Sequence, residues 1–120
     1  MLLYSKDADA DRAFVRDVLG FGSVDAGRGW LIFALPAAEL AVHPAGGDLA
    51  PSDAEQCMVR GDLYLMCDDV RACIKALEAK GVRCTGMSEE RWGIRTSIVL
   101  PSGGQLGLYQ PMHPTAIGLR

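Results

Sequence analysis

The chain has 120 residues, enough for one compact domain with its own core. Hydrophobic residues make up 49% and charged residues 22% of it, the balance of an ordinary globular protein rather than a disordered one. A formal charge of -3 argues against a nucleic-acid surface, no apolar run approaches the roughly 20 residues of a membrane span, and the opening "MLLYSKDAD" is too short and too acidic for a signal peptide; a cytoplasmic protein is expected.

"MLLYSK" reads as a strand. Asp7 or Asp9 can cap the helix that follows, "ADRAFVRDVLG", in which Ala13, Phe14, Val18 and Leu19 recur at helical spacing and which Gly20 ends. A short strand "FGSVDA", a Gly-Arg-Gly turn and the strands "WLIFALP" and "ELAVHP" come next. Residues 46–60 are rich in Gly, Pro, Ser and Asp without a sustained period, which marks a linker. The pattern then restarts. "DLYLMC" is a strand, Asp68 or Asp69 caps the helix "VRACIKALEAKG", "VRCTGM" is a short strand, "SEERWG" a turn, and "IRTSIVLP" and "GQLGLYQP" are the last two strands. Cys57, Cys67, Cys73 and Cys84 form no C-x-x-C pair and read as buried or incidental reduced thiols.

The order is therefore strand, helix, three strands, twice over, in modules 1–45 and 61–111 of a single domain spanning 1–120. "LPAAELAVHP" lines up with "LPSGGQLGLYQP", and "YSKD" with "LMCDD". Each copy alone leaves an apolar face that the other must help to cover. This doubled pattern, with "KDADADRAFVRDVLGFG" at the start, "DDVRACIKALEAKGV" in the second half and "WGIRTSIVLPSGG" before the last strand, resembles the vicinal oxygen chelate superfamily. That superfamily includes glyoxalase I, extradiol dioxygenases and bleomycin-resistance proteins, and the resemblance covers nearly the whole chain.

The resemblance implies an α+β fold in which two βαβββ modules form a curved sheet around a cleft, with a helix on each convex face. It also implies a homodimer, which suits a chain too short to cover two small curved sheets by itself. Metal-dependent members hold a divalent ion with His, Gln or Glu, one near the start of the first strand and one on the last strand of each module. Such an ion polarises a substrate carrying adjacent oxygens.

Strand alternation tests whether those ligands are present. In "QLGLY", Leu106 and Leu108 should face the helix, so Gln105, Gly107 and Tyr109 face the cleft. Gly107 then stands where the family's carboxylate would be, either as a vacated ligand position that leaves room in the cleft or as a glycine permitting close strand packing. In "ELAVHP", Leu40 and Val42 should face the helix, and Glu39, Ala41 and His43 the cleft, with Ala41 at the equivalent bare position. Counting back from Asp7 places the first-strand ligand immediately before Met1, and counting back from Asp69 brings the third to Asp62. One oxygen donor of four remains. No metal and no cofactor are therefore expected, since divalent ions need several donors at fixed geometry; Glu39, His43 and Asp62 are left as a salvage set.

By the same alternation the cleft receives Tyr4, Trp30, Tyr64, Arg95, Ser97 and Tyr109, with Gln105 beside them and Trp92 in the turn above, while Ile94, Thr96, Ile98 and Leu100 pack inward. Trp30 and Arg95 occupy matching places in the two modules. Aromatic rings with a cation and a few hydrogen-bonding groups make a pocket for a small aromatic or amphipathic molecule; alternatively, Trp30 and Tyr109 fill a closed core or a dimer contact. Three functions follow: a metal-free binding protein like the bleomycin-resistance branch, a lyase, isomerase or dioxygenase drawing on Asp62, His43 or Glu39, or a dimeric scaffold without a specific ligand.

Overall fold

In the computed structural model, which describes residues 3, 5–38, 40, 41 and 61–117, Asp7 opens the first helix, its carboxylate accepting from the Ala10 N–H at 3.2 Å. Helix α1 runs Ala8–Asp17. The N–H groups of Val18 and Leu19 both return to the Phe14 carbonyl, and Gly20 turns the chain away at a φ of 76°. A hairpin follows, β1 (Ser23–Asp25) against β2 (Leu31–Phe33), with Val24 opposite Ile32. The Gly-Arg-Gly turn expected from the sequence joins them. Its backbone is left-handed throughout, with φ of 128°, 54° and 80° at Gly27, Arg28 and Gly29. The Asp25 carboxylate holds the turn by accepting from the Gly27 and Gly29 N–H groups at 2.7 and 3.2 Å.

The strands expected at "MLLYSK" and "ELAVHP", and the linker 46–60, fall wholly or largely outside the described residues. Leu40 is described and is 92% exposed, so it does not pack toward a helix as alternation implied. Alternation buries a side chain only where a sheet face is covered, and Leu40 and Ala41 lie outside any described strand.

The second module is complete. It comprises β3 (Tyr64–Met66), α2 (Val70–Ala79), β4 (Cys84–Glu90), β5 (Gly93–Val99) and β6 (Gln105–Pro111), with strand order β3-β6-β5-β4. β3 runs parallel to β6, and the other pairs are antiparallel. Asp69 caps α2 by accepting from Ala72 N–H at 3.0 Å, and the Gln110 side-chain oxygen accepts from Val70 N–H at 3.2 Å. Two of the helix's four orphan donors are thereby satisfied, one of them by the sheet itself. Val70, Cys73, Ile74 and Leu77 form the stripe that packs on the sheet.

Along β5 the burial alternates as expected: Ile94, Thr96, Ile98 and, just past the strand, Leu100 are buried, and Leu106 and Leu108 of β6 join them. Phe14 of α1 enters the same cluster, so both helices share one core with one face of the four-stranded sheet. Val70 and Ile98 are at most 1% exposed, each contributing roughly 1.5–3 kcal/mol by burial. Among the described residues, no helix is long and apolar enough to cross a membrane.

One boundary differs from the sequence reading. "SEERWG" is not wholly a turn, because β4 continues through Glu90 and only Arg91 and Trp92 turn. β4 is the edge strand, where charged side chains reach solvent without cost. A bulge between Thr85 and Ser88, with Gly86 at a φ of 69°, bends that edge and blunts it against pairing with another chain.

Two contacts pin the architecture. Asp11, 8% exposed, accepts from the Ser5 hydroxyl at 2.6 Å, the Ser102 hydroxyl at 2.7 Å and the Ser102 N–H at 3.1 Å, tying α1 to the turn between β5 and β6. On the opposite face of the sheet, Tyr64 is paired with Gly107. A Cβ built on Gly107 would stand 2.5 Å from Tyr64 Cε1 and 2.6 Å from Cγ. The tyrosine ring lies over the bare backbone, and the room that a missing ligand side chain would leave is filled.

Asp11→Ala should therefore lower stability by about 1–3 kcal/mol, since it removes the buried acceptor that ties Ser5 and Ser102 to α1; an unchanged urea midpoint would contradict this. Gly107→Ala should cost about 1–3 kcal/mol by overpacking against the ring. The same change in a Tyr64→Ala background should cost much less, which a double-mutant cycle measures directly.

Candidate functional site

β3, β6 and β5 lie side by side, and their registers place Tyr64, Gly107 and Ser97 in one row and Met66, Tyr109 and Arg95 in the next. These side chains share the face opposite the helices. The Tyr64 ring crosses β6 over Gly107, and its hydroxyl reaches β5, where it accepts from Arg95 Nη1 at 3.2 Å. Arg95 Nε is also 3.9 Å from the Glu90 carboxylate, a loose pair in which both side chains are about two-fifths exposed.

Three rings meet beside this polar edge. Trp92 lies with its ring centre 5.9 Å from Tyr64 and 5.3 Å from Tyr109, and Tyr64 is 5.8 Å from Tyr109. All three pairs are edge-to-face, with interplanar angles of 83°, 68° and 89°, the arrangement the ring quadrupoles favour. The Trp92 carbonyl accepts from Met112 N–H at 2.8 Å, which fixes the turn against the end of β6. Tyr109 is only 8% exposed and Trp92 is 39% exposed. Tyr109 is thus the floor of the cluster and part of the packed interior, and Trp92 supplies its open surface.

His113 completes the back of the cluster. Its ring stacks on Tyr109 at 6.2 Å and 21°, with Nε2 3.4 Å from the Tyr109 hydroxyl and Nδ1 2.9 Å from the Pro114 carbonyl. A proton on Nδ1 donates to that carbonyl and leaves Nε2 as acceptor for the phenol. Little in the sequence announces this residue, since "PMHPTA" reads as a Pro-flanked tail. The usable signal was its spacing, four residues after Tyr109.

The structure thus brings together Tyr64, Trp92, Arg95 and Tyr109 of the residues singled out by sequence, with Ser97 in the adjoining row. Gln105 is at the far end of β6, opposite Val99 and exposed. Trp30 is placed elsewhere. It is 54% exposed at the start of the second hairpin strand, with the Arg12 guanidinium 5.3 Å above its ring, and it makes no ring contact with the cluster among the described residues. Its ring meets Arg12 of α1 and not Arg95. Tyr4, Glu39 and His43 lie outside the described residues. Asp62 is exposed just before β3.

Shallow depressions of about 300 and 340 Å³ lie against the β1–β2 hairpin and beside Ser5, Lys6 and Ser102–Gly104. Neither borders the ring cluster. We assign the site to the rings and Arg95 because they combine apolar surface with oriented donors, which the hairpin depression lacks. Among the described residues the cluster is an open face rather than an enclosed cavity.

Gly107 and Ala41, where the resemblance implies two of the metal ligands, offer no side-chain donor, and the space at Gly107 is filled by the Tyr64 ring. Two of the described thiols, Cys67 and Cys84, are poor nucleophiles. Cys67 donates to the Tyr109 carbonyl at 3.5 Å and is pushed up to about 12, first by burial, then by neighbouring Cys73 and the Asp69 and Asp68 carboxylates. Burial also raises Cys84, with a smaller effect from Glu78, so both remain protonated at neutral pH.

No protein-family model and no curated protein matches the sequence. Solved structures do match the fold. TnmS3, an antibiotic binding protein from Streptomyces sp. CB03234, is 27% identical over 91% of this chain and 90% of its own, with a TM-score of 0.59. A glyoxalase/bleomycin resistance protein from the same organism is 26% identical over 90% of this chain and 95% of its own, at 0.57. Lactoylglutathione lyase from Agrobacterium tumefaciens, 19% identical over 90% of this chain and 88% of its own at 0.59, shares the fold alone. With these neighbours and the complete βαβββ module in its second half, the resemblance read from the sequence holds: the chain has the α+β fold of the glyoxalase/bleomycin-resistance/dioxygenase proteins, the vicinal oxygen chelate superfamily.

Proposed function

We propose that this protein binds a small aromatic or amphipathic molecule, without a metal, on the sheet face built from Tyr64, Trp92, Arg95 and Tyr109. The observation that carries this reading is the Tyr64 ring over Gly107, at the position where the resemblance implies a ligand carboxylate: an aromatic wall stands there. The half-exposed Trp92 supplies stacking area, and Arg95 a cation with free donors. TnmS3 is an antibiotic binding protein, and the same use of the fold supports a sequestering role here. A lyase, isomerase or dioxygenase would need more donors than Asp62, the one expected oxygen ligand that the described residues retain.

The open ring face also supports a homodimer, with a second subunit closing the cleft. Val24 and Ile32, paired on the hairpin, are 65% and 53% exposed, apolar surface that a partner would cover.

Three measurements check the proposal. Sedimentation at micromolar concentration should give the dimer, and a monomer would remove the shared cleft. Elemental analysis of protein purified without added metal should find no stoichiometric transition metal; one ion per chain would return the enzyme reading. Trp92→Ala should melt close to the parent protein because the ring is 39% exposed, yet bind naphthalene-based probes several-fold more weakly by calorimetry, since a stacked pair is worth about 0.5–1.5 kcal/mol. Unchanged probe affinity would place the site elsewhere.

A further inference from the structure

The polar edge of the ring cluster has a donor pattern that narrows the ligand. Tyr64 Oη accepts from Arg95 Nη1 at 3.2 Å, and as the acceptor in that bond it keeps its own proton. No acceptor for that proton stands among the described residues. Arg95 has a second terminal nitrogen, Nη2, likewise unengaged there, because Nη1 is turned to Tyr64 and Nε toward Glu90. One O–H and one N–H donor are therefore left at the same edge, held by a ring that cannot swing without unstacking from Trp92 and Tyr109. Two fixed donors with no matching acceptor recognise an oxygen carrying lone pairs.

The charge at the edge decides which kind of oxygen. The Glu90 carboxylate is 3.9 Å from Arg95 Nε and offsets much of the guanidinium's charge. A ligand carboxylate would meet Glu90 as well as Arg95, whereas a neutral carbonyl gains both hydrogen bonds without that repulsion. We propose that Tyr64 and Arg95 form a two-donor clamp for the carbonyl oxygen of an aromatic ketone, quinone or amide stacked on Trp92. This inference rests on the aromatic binding site proposed above and adds the functional group that the site selects.

Three probes with one ring system test it on the full-length protein: naphthyl methyl ketone, ethylnaphthalene and naphthoate, each titrated by calorimetry. The ketone should bind on the order of tenfold more tightly than ethylnaphthalene, the value of two modest hydrogen bonds, and naphthoate no more tightly than the ketone. Tyr64→Phe keeps the ring over Gly107 and should leave melting nearly unchanged while cutting the ketone's advantage to about threefold. Arg95→Met should cut it similarly and provides a second variant if the first unfolds. Equal affinity for ketone and ethylnaphthalene would overturn the clamp but leave the aromatic site standing. Naphthoate binding tenfold better than the ketone would overturn the charge argument and with it the choice of carbonyl. Failure of all three probes to bind would overturn the site itself.

Discussion

The Tyr64 ring over Gly107 is the contact on which the functional face depends. β3 is three residues long and, among the described residues, pairs only with β6, so that ladder alone anchors it weakly. A glycine within a strand weakens that strand further, by roughly 0.5–1 kcal/mol relative to alanine. Here the missing side chain is replaced by a ring from the neighbouring strand, which spans β6 and hydrogen-bonds to Arg95 on β5. One side chain thus links three strands. It also orients the phenol edge-on to Trp92 and Tyr109, so strand pairing and site geometry are set by the same packing decision.

The helix side of the sheet is organised so that this face remains free. Both helices contribute to one core, and polar contacts rather than further apolar area fix their positions. Gln110 continues the alternation of Leu106 and Leu108, yet it uses its inward side chain to cap Val70 instead of packing. Asp11 makes the equivalent anchor for α1 through Ser5 and Ser102. A buried carboxylate is tolerable because three donors replace its water. With the two helices on one side of the sheet, Arg95 and Trp92 retain exposed surface on the other among the described residues.

The second module was largely legible in the sequence because its signals are local. Asp69 before "VRACIKALEA", the alternation in "IRTSIVLP" and the glycine turn at "PSGG" each act over a few residues, and each gave the right element. The reading faltered where the deciding neighbour was distant or solvent took its place. "SEE" reads as turn by composition, but an edge strand accepts charge because its side chains face water. Alternation puts Gly107 on the face away from the helices, but the ring over it comes from β3, on the far side of α2 in sequence, and no local pattern announces it. Trp30 was aligned with Arg95 by module symmetry. Its ring instead meets Arg12 of α1, a contact with no counterpart in the other module's pattern. Much of the first module's expected cleft, including Tyr4, Glu39 and His43, lies outside the described residues.

The pairing of Tyr64 with Gly107 also couples what each position can accept. Placing a carboxylate side chain at position 107 alone would drive its Cβ into the tyrosine ring, so the first effect would be strain. Removing the Tyr64 ring alone would leave a hole over bare backbone and free Arg95 of its partner. Each single change is unfavourable while the other residue stays, because neighbouring positions that share a packing volume do not contribute additively. The aromatic wall is therefore protected by its own packing, and a side chain at position 107 requires coordinated change at Tyr64.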